Sequence, residues 1–112
     1  MLVEIVMENF FSFKDEATFS MVASPIGEHP ESVYGKNNIA VTKLATIYGA
    51  NASGKSNLLK AMKMIQEGLL LQKCSSREWL DHIEPFHLDA RTEKKATMLE
   101  VSLLLAGKRH RY

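Results

Sequence analysis

The sequence lacks several features that would narrow its function. It contains a single cysteine, Cys74, so no disulfide bond can form within the chain, and we expect a protein of the reducing cytoplasm. No apolar run is long enough to cross a bilayer, and we therefore expect no membrane partner. The formal net charge is only +1, so charge alone indicates neither nucleic acid nor an acidic protein as a partner.

Patterns typical of metal sites are also scarce. The segment 81–84, Asp-His-Ile-Glu, could pass for a ligand cluster, but beside Pro85 it is more typical of a solvated surface. His29 and His87 have no further ligand at a suitable spacing, so we assign neither of them any chemistry. Basic residues are scattered without interleaved aromatic side chains, which leaves nucleic-acid binding possible but not indicated.

One glycine-rich stretch does indicate a specific chemistry. Residues 49–56 fit the phosphate-binding loop pattern G-x-x-x-x-G-K-[ST], between the apolar run 44–48 and the helical run 58–71. Glycines let the backbone N–H groups of such a loop turn toward a polyphosphate, and the start of the following helix adds a positive dipole end. The alternative is a chance glycine-rich turn, and the agreement of every fixed position with both flanking elements argues against it.

The loop predicts a nucleotide site with defined roles for its side chains. Lys55 would reach the β and γ phosphates, and Ser56 would place its hydroxyl on Mg²⁺. The predicted nucleotide-binding residues are Gly49, Ala50, Asn51, Ala52, Ser53, Gly54, Lys55, Ser56 and Asn57.

Hydrophobic alternation predicts strands on both sides of the loop. Residues 2–9 alternate apolar with polar side chains, and the alternation resumes at residues 17–23, which predicts a β-hairpin. Residues 24–38 are rich in turn formers and predict a loop, and residues 39–48 predict a strand that leads into the phosphate loop. Residues 99–105 predict a further strand, followed by a turn at 106–108 and a return strand.

The segment after the phosphate loop is predicted to be helical and to pack on the sheet through one apolar stripe: Leu58, Ala61, Met62, Ile65 and Leu69. A capping box from Ser75 to Glu78 predicts a second, short helix before Pro85, and residues 86–88 suggest a brief strand. The chain stops inside its apparent return strand, so we expect it to be part of a longer protein.

The order of these elements, with strands before the phosphate loop, resembles the nucleotide-binding heads of ABC-type and SMC-type ATPases. More narrowly, residues 1–21, 47–61 and 85–88 resemble the N-terminal part of bacterial ABC-like ATPases of the AAA family. Relatives in that family include overcoming-lysogenisation-defect proteins and ATPases of anti-phage defence systems. The segment Asn9-Phe10-x-Ser12-Phe13, together with Asn51 and Ser53, narrows the resemblance to this branch.

The resemblance implies an α/β fold of the P-loop NTPase class and ABC/SMC-head type. Residues 1–112 would be a single partial ATP-binding domain, the N-terminal lobe, in which the helix after the loop packs on a mixed sheet.

Two positions depart from the family pattern. Ala52 replaces a glycine, which puts a positive φ there in doubt, and Phe11 replaces a frequent basic residue. Phe11 could stack on adenine, but three phenylalanines in one turn favour a hydrophobic plug.

ATP and Mg²⁺ are the cofactors that the resemblance implies, and self-association of two heads is the implied assembly. Hydrolysis in this family needs an apolar strand ending in Asp-Glu and a signature loop, and neither occurs in this sequence. Two functions therefore stay open. The chain could be the Walker A half of an ATPase whose remaining motifs lie outside it, or a non-enzymatic nucleotide-binding or assembly module that is complete as it stands.

Overall fold

The computed structural model describes residues 1–27, 29–35, 39–71 and 77–112. Within these ranges the strands are β1 (Leu2–Glu8), β2 (Ala17–Ser20), β3 (Val33–Tyr34), β4 (Val41–Thr42), β5 (Met98–Leu105) and β6 (Lys108–Arg111). The helices are α1 (Lys55–Leu71) and the single turn α2 (Arg77–Leu80), with a short 3₁₀ helix at Pro30–Ser32.

Strands β1, β2, β5 and β6 form one sheet, in the order β2-β1-β5-β6, and β3 and β4 form a separate ladder. The predicted hairpin near the N-terminus is confirmed as β1 and β2, and the predicted strand with its return is confirmed as β5 and β6. Every pairing between described strands is antiparallel. The expected mixed sheet is therefore wrong for the described residues, because even β1 and β5, distant in sequence, run in opposite directions.

The main core lies between this sheet and α1. Ile5 and Met7 of β1 face it, as the alternation predicts, and α1 contributes the buried side chains of Leu58, Ala61 and Met64. Met64 lies outside the predicted stripe, so the buried face of the helix is rotated slightly from the prediction. The other predicted stripe residues are only partly buried against this core: Met62, Ile65 and Leu69. No helix in the described ranges is both long and apolar enough to cross a membrane.

Strand β5 is covered on both faces, which its alternation does not predict. Ser102 and Leu104, which alternate with Val101 and Leu103 along the strand, are buried. Leu105 is 43% exposed. Leu104 packs with Val3 and Val41 in a second cluster on the opposite face of the sheet. Leu104 is thus covered by Val41 of β4, a strand that is distant from β5 in the sequence.

The predicted strand over residues 39–48 is mostly wrong. Only Val41–Thr42 is a strand, and the apolar side chains of Leu44 and Tyr48 are 80% and 86% exposed. Residues 44–48 take part in none of the backbone hydrogen bonds among the described residues. A strand needs a neighbour with which to pair, and this apolar segment has none in the described part of the chain.

The predicted brief strand at residues 86–88 is also wrong. The N–H of Phe86 donates to the side chain of Asn9 at 3.0 Å, the Phe86 carbonyl accepts from the Thr92 hydroxyl, and Leu88 is 89% exposed. Side chains therefore take up the backbone groups that a ladder would need. The second helix is confirmed as the single turn α2, and its predicted cap at Ser75 lies outside the described residues.

A two-residue turn joins β5 to β6. Its residues, Ala106 and Gly107, have φ angles of 50° and 77°, the left-handed pair whose twist suits a β-hairpin. β6 is an edge strand of the sheet and its residues are exposed, with Arg111 bonded to Glu100 at 2.5 Å. Its basic side chains disfavour pairing of this edge with another strand.

Candidate nucleotide-binding site

The phosphate loop needs a glycine at position 54 for two reasons. Gly54 has a φ of +90°, a conformation that side chains with a Cβ rarely adopt. A Cβ at this position would also lie 3.1 Å from Ser12 Oγ and 3.4 Å from Phe13 Cζ. At the other end of the loop, a Cβ on Gly49 would lie 3.0 Å from Ser53 Oγ. Both glycines of the pattern therefore allow close approach of neighbouring groups.

Ala52 adopts the left-handed conformation that its side chain put in doubt. Its φ is 62°. For a residue with a Cβ this conformation costs about 1–2 kcal/mol. An alanine at position 52 therefore adds backbone strain that a glycine would not have.

The backbone at the start of α1 presents unpaired donors. The N–H groups of Asn57 and Leu58 both donate to the Gly54 carbonyl at 3.0 Å, which forms the first turn of the helix. Among the hydrogen bonds of the described residues, none uses the N–H groups of residues 51, 52, 54, 55 or 56. Unpaired N–H groups that converge at a helix N-terminus form a site for an anion.

Lys55, the first residue of α1, folds back over the loop. Its Nζ donates to the carbonyl oxygens of Gly49 at 2.7 Å and Ala50 at 2.6 Å, and lies 3.3 Å from Ser53 Oγ. An ammonium group has only three donor directions, so a phosphate oxygen could be bound there only in exchange for one of these bonds. The ammonium group of Lys55 thus lies within the loop, and Lys55 also lines the cavity described next.

A cavity of about 390 Å³ lies at this loop, lined by Ser12 and residues 51–57. Ser56 is exposed on it, and its hydroxyl takes part in no hydrogen bond among the described residues. A single hydroxyl fits Mg²⁺ only if phosphate oxygens and water supply the remaining ligands, which is how Mg²⁺ is commonly held at nucleotide sites. No group of three or more acidic, histidine or cysteine side chains that could hold a metal occurs in the described ranges.

Ser12 belongs to this cavity, although the loop pattern does not include it. Its Oγ accepts a hydrogen bond from Asn57 Nδ2 at 2.9 Å. The only sequence signal for Ser12 is its place in the segment 9–13 that carries the family resemblance, and nothing in that segment specifies a contact 45 residues away. The nine predicted loop residues remain predictions as nucleotide ligands, and the structure brings residues 51–57 of that set together with Ser12 around one cavity.

The turn that carries Ser12 is fixed by Asn9. The Asn9 side chain is fully buried and donates from Nδ2 to the carbonyls of Thr92 at 2.9 Å and Lys95 at 2.7 Å. Its Oδ1 accepts from Phe86, and its backbone carbonyl accepts from the Thr97 hydroxyl at 2.8 Å. This one residue therefore joins the N-terminal turn to residues 86–97.

Phe11 is neither fully buried nor at the phosphate loop. The plug of the turn is its neighbour Phe10, which is 0% exposed and meets the Phe11 ring edge-on at 4.7 Å between centroids. Lys60 Nζ lies 4.2 Å from the centroid of the Phe11 ring, a cation–π contact that brings a positive charge from α1 to the position where relatives often carry a basic residue. The hydrophobic-plug interpretation therefore fits Phe10 better than Phe11.

A second cavity of about 390 Å³ opens between Phe11, α1 and α2. Asp81, His82 and Glu84 line it together with Trp79, whose indole N–H donates to the Met64 carbonyl at 3.1 Å. Glu84 also lies 4.0 Å from His87 Nε2. These polar side chains lie on an open surface, as the sequence predicts, and they do not line the cavity of the phosphate loop.

One carboxylate in this part of the chain has a displaced pKa. The side chain of Arg91 hydrogen-bonds to Asp89, the Arg91 backbone N–H adds a further bond, and Lys14 lies 2.9 Å away. Together these contacts hold the pKa of Asp89 well below its usual range. The pair Lys14 and Asp89 ties the turn that carries Ser12 to the same segment that Asn9 contacts.

Comparison with known proteins gives one match. A family model described as "AAA domain, putative AbiEii toxin, Type IV TA system" matches residues 44–112. No curated protein and no solved structure matched the chain. The matched range includes the phosphate loop, α1 and the β5–β6 hairpin, and it covers more than half of the 112 residues. The chain therefore belongs to this family of AAA domains, which indicates a P-loop ATPase-like domain that binds nucleotide.

Proposed function

We propose that the chain binds ATP with Mg²⁺ through residues 49–56, acting as a Walker A loop in the N-terminal part of an ABC-like ATPase. The observation that carries the proposal is a set of backbone N–H groups, at residues 51, 52, 54, 55 and 56, that have no partner among the described residues. These residues line one cavity, and the ammonium group of Lys55 bonds to the loop. Backbone N–H donors at a helix N-terminus bind anions such as phosphate groups.

The chain's own groups have distinct roles in this proposal. The N–H groups hold the β phosphate oxygens, and Lys55 exchanges its bonds to the Gly49 and Ala50 carbonyls for bonds to phosphate oxygens. Ser56 offers its hydroxyl to Mg²⁺, whose bound charge would offset that of the β and γ phosphates. Ala52 and Gly54 keep the left-handed turns that aim the N–H groups inward.

The test is a calorimetric titration of the purified chain with Mg-ATP. We expect Lys55→Ala to weaken binding by about 100-fold, since bonds between charged groups each contribute roughly 1.5–3 kcal/mol. Lys63→Ala is the matched control, because Lys63 lies on the same helix, its side chain is 76% exposed, and it does not line the loop cavity. Its ion pair among the described residues is with Glu67, at 3.8 Å. Equal affinities of the wild type and Lys55→Ala would contradict the proposal.

Whether binding leads to hydrolysis separates the two functions that the sequence leaves open. In the first, nucleotide draws two heads together, and residues outside this sequence supply the catalytic carboxylate and the signature loop. In the second, the chain binds nucleotide without hydrolysis, as an assembly module. For both we expect this chain alone to release phosphate at the background rate, because no described carboxylate lines the loop cavity to orient water. Steady phosphate release that Lys55→Ala abolishes would show that a carboxylate of this chain does act.

The full-length gene product distinguishes the two functions. If the first is right, it hydrolyses ATP and its oligomeric state, followed by light scattering, increases with Mg-ATP. If the second is right, ATP binds without turnover. A role in anti-phage defence follows only from the resemblance. If the full-length protein has this role, Lys55→Ala should abolish its protection against phage in a plaque assay.

A further inference from the structure

Ser12 and Asn57 join two elements that are distant in sequence. Asn57 Nδ2 donates to Ser12 Oγ at 2.9 Å, and the Ser12 hydroxyl lies 3.1 Å from the point that a Cβ on Gly54 would occupy. Both residues line the cavity of the phosphate loop. The contact thus lies where the loop ends and α1 begins.

The turn that carries Ser12 is held from the side remote from the loop. Phe10 and Phe13 exchange two backbone hydrogen bonds of 2.9 Å each, which close the turn around Phe11 and Ser12. The N–H of Phe11 donates to the Glu84 carbonyl at 2.8 Å, and Asn9 is fully buried among backbone partners of residues 86–97. Ser12 is therefore a fixed point against which the loop can be held.

Leu58 packs the first turn of α1 on the core, but hydrogen bonds from this turn to other elements are few among the described residues. Lys55 bonds within the loop, and the backbone N–H groups of Asn57 and Leu58 bond to Gly54. Of the side-chain hydrogen bonds among the described residues, the one from Asn57 to Ser12 is the one that ties this turn to an element outside the loop. Because phosphate affinity depends on how closely several N–H groups converge, a change in the orientation of this turn changes all of them together.

We propose that Ser12 and Asn57 are a positioning pair, which holds the first turn of α1 so that the N–H groups of the loop converge on the phosphates. The inference rests on the proposed function of the loop and extends it to a residue of the N-terminal turn. Neither side chain needs to touch the nucleotide. Their contribution is the hydrogen bond between them, so removing either partner removes the whole effect.

A double-mutant cycle tests the pair through Mg-ATP affinity. We expect Ser12→Ala and Asn57→Ala each to weaken binding by about 3- to 10-fold, the contribution of one hydrogen bond. We expect the double variant, Ser12→Ala with Asn57→Ala, to bind Mg-ATP no more weakly than the weaker-binding of the two single variants. Ser12→Thr keeps the hydroxyl group, so we expect it to bind Mg-ATP as the wild type does. Ser24→Ala and Gln66→Ala are matched controls, since both side chains are exposed and neither lines the cavity. Wild-type affinity in both single variants, or effects that multiply in the double variant, would overturn the pairing.

Amide hydrogen exchange without nucleotide tests the same pair independently of the proposed function. We expect both single variants to speed exchange at the amides of Asn57 and Leu58 and to leave exchange in β1 unchanged. Exchange at these two amides as slow as in the wild type would overturn the inference even where no nucleotide binds. Equal ATP affinity of the wild type and Lys55→Ala, with faster exchange in the variants, would instead reject the nucleotide function alone.

Discussion

The turn at residues 9–14 and the phosphate loop have similar backbone strain but opposite hydrogen bonding. Asn9 and Phe11 have φ angles of 49° and 47°, and Ala52 has a φ of 62°. Each such residue costs about 1–2 kcal/mol, least for asparagine. In the turn, both polar groups of the Asn9 side chain and both of its backbone groups are bonded. In the loop, several N–H groups have no partner among the described residues.

This difference shows what strain does and does not indicate. A left-handed residue is by itself no sign of a binding site, since in the turn it serves to bury Asn9 and to join distant segments. Strain together with donors that have no partner among the described residues is different, because these donors remain available to a ligand. A bound anion would pair with these donors, and this is the physical reason for proposing that the loop binds a nucleotide.

The largest effect that this comparison predicts is for Asn9→Ala. The change removes one of the two hydrogen bonds to the Thr92 carbonyl, which keeps its bond from the Lys95 N–H. It also removes the bonds that Asn9 makes to the Lys95 carbonyl and the Phe86 N–H, and it places an alanine at a positive φ. We expect the free energy of unfolding, measured in urea, to fall by about 3 kcal/mol or more.

Asn9→Gly is the matched variant, because glycine accepts the positive φ and lacks the side chain. If the hydrogen bonds are what matter, Asn9→Gly loses nearly as much stability as Asn9→Ala. A glycine variant as stable as the wild type would mean that the turn, like the loop, is governed by backbone strain alone.

For Ala52→Gly we expect a smaller change in the free energy of unfolding, and an increase instead of a decrease. Removing the Cβ relieves the left-handed strain, and we expect a gain of about 1 kcal/mol in the free energy of unfolding, reduced by the greater flexibility of glycine in the unfolded chain. Ala106→Gly is the matched control, since Ala106 has a φ of 50° in the turn between β5 and β6 and is exposed. Thermal unfolding of both variants measures the gain.

The variants Ala52→Gly and Ala106→Gly separate the effect of backbone strain on stability from its effect on nucleotide binding. Both should gain stability, but only Ala52→Gly should also change the affinity for Mg-ATP, because only Ala52 lines the loop cavity. An Ala52→Gly variant that is less stable than the wild type, beside a stabilised Ala106→Gly, would show that the loop has compensating contacts and would weaken the contrast with the turn.

The two regions also differ in how far the sequence predicts them. The sequence pattern of the phosphate loop is local, so it predicts which residues form the loop, and their role as nucleotide ligands stays a prediction. The positive φ of Gly54 and the close approach of Ser53 to Gly49 agree with the glycines of that pattern. The role of Asn9 was not predicted, because its partners lie 83 and 86 residues further along the chain. The resemblance marked the segment 9–13 as characteristic without indicating what it contacts.

In the sheet, too, the sequence predicts local features and misses those that depend on distant residues. The alternation in β1 identified Ile5 and Met7 correctly, since one face of the strand meets the core. The burial of Leu104 could not be read from β5, because its cover comes from Val41 on a separate ladder. Residues 44–48 were predicted as a strand from apolar composition alone, yet a strand is defined by its neighbour, and the described residues provide none.

The smallest expected effect is a pH dependence that belongs to the turn and not to the loop. The Arg91 side chain, the Arg91 N–H and Lys14 lower the pKa of Asp89 below the value of about 3.9 that it has in an unfolded chain. A carboxyl group whose pKa is lower in the folded state stabilises the fold above that unfolded value, and the contribution is lost as the pH falls through the folded pKa. We therefore expect Asp89→Asn to be less stable than the wild type near neutral pH, and the difference in melting temperature to shrink steadily as the pH falls below about 4.

Asp15→Asn is the control, because Asp15 is exposed and forms no ion pair among the described residues. A difference between wild type and Asp89→Asn that stays constant from neutral to acidic pH would mean that Asp89 acts as a neutral hydrogen-bond acceptor. The ion pair with Lys14 would then contribute nothing to holding the turn against residues 86–97.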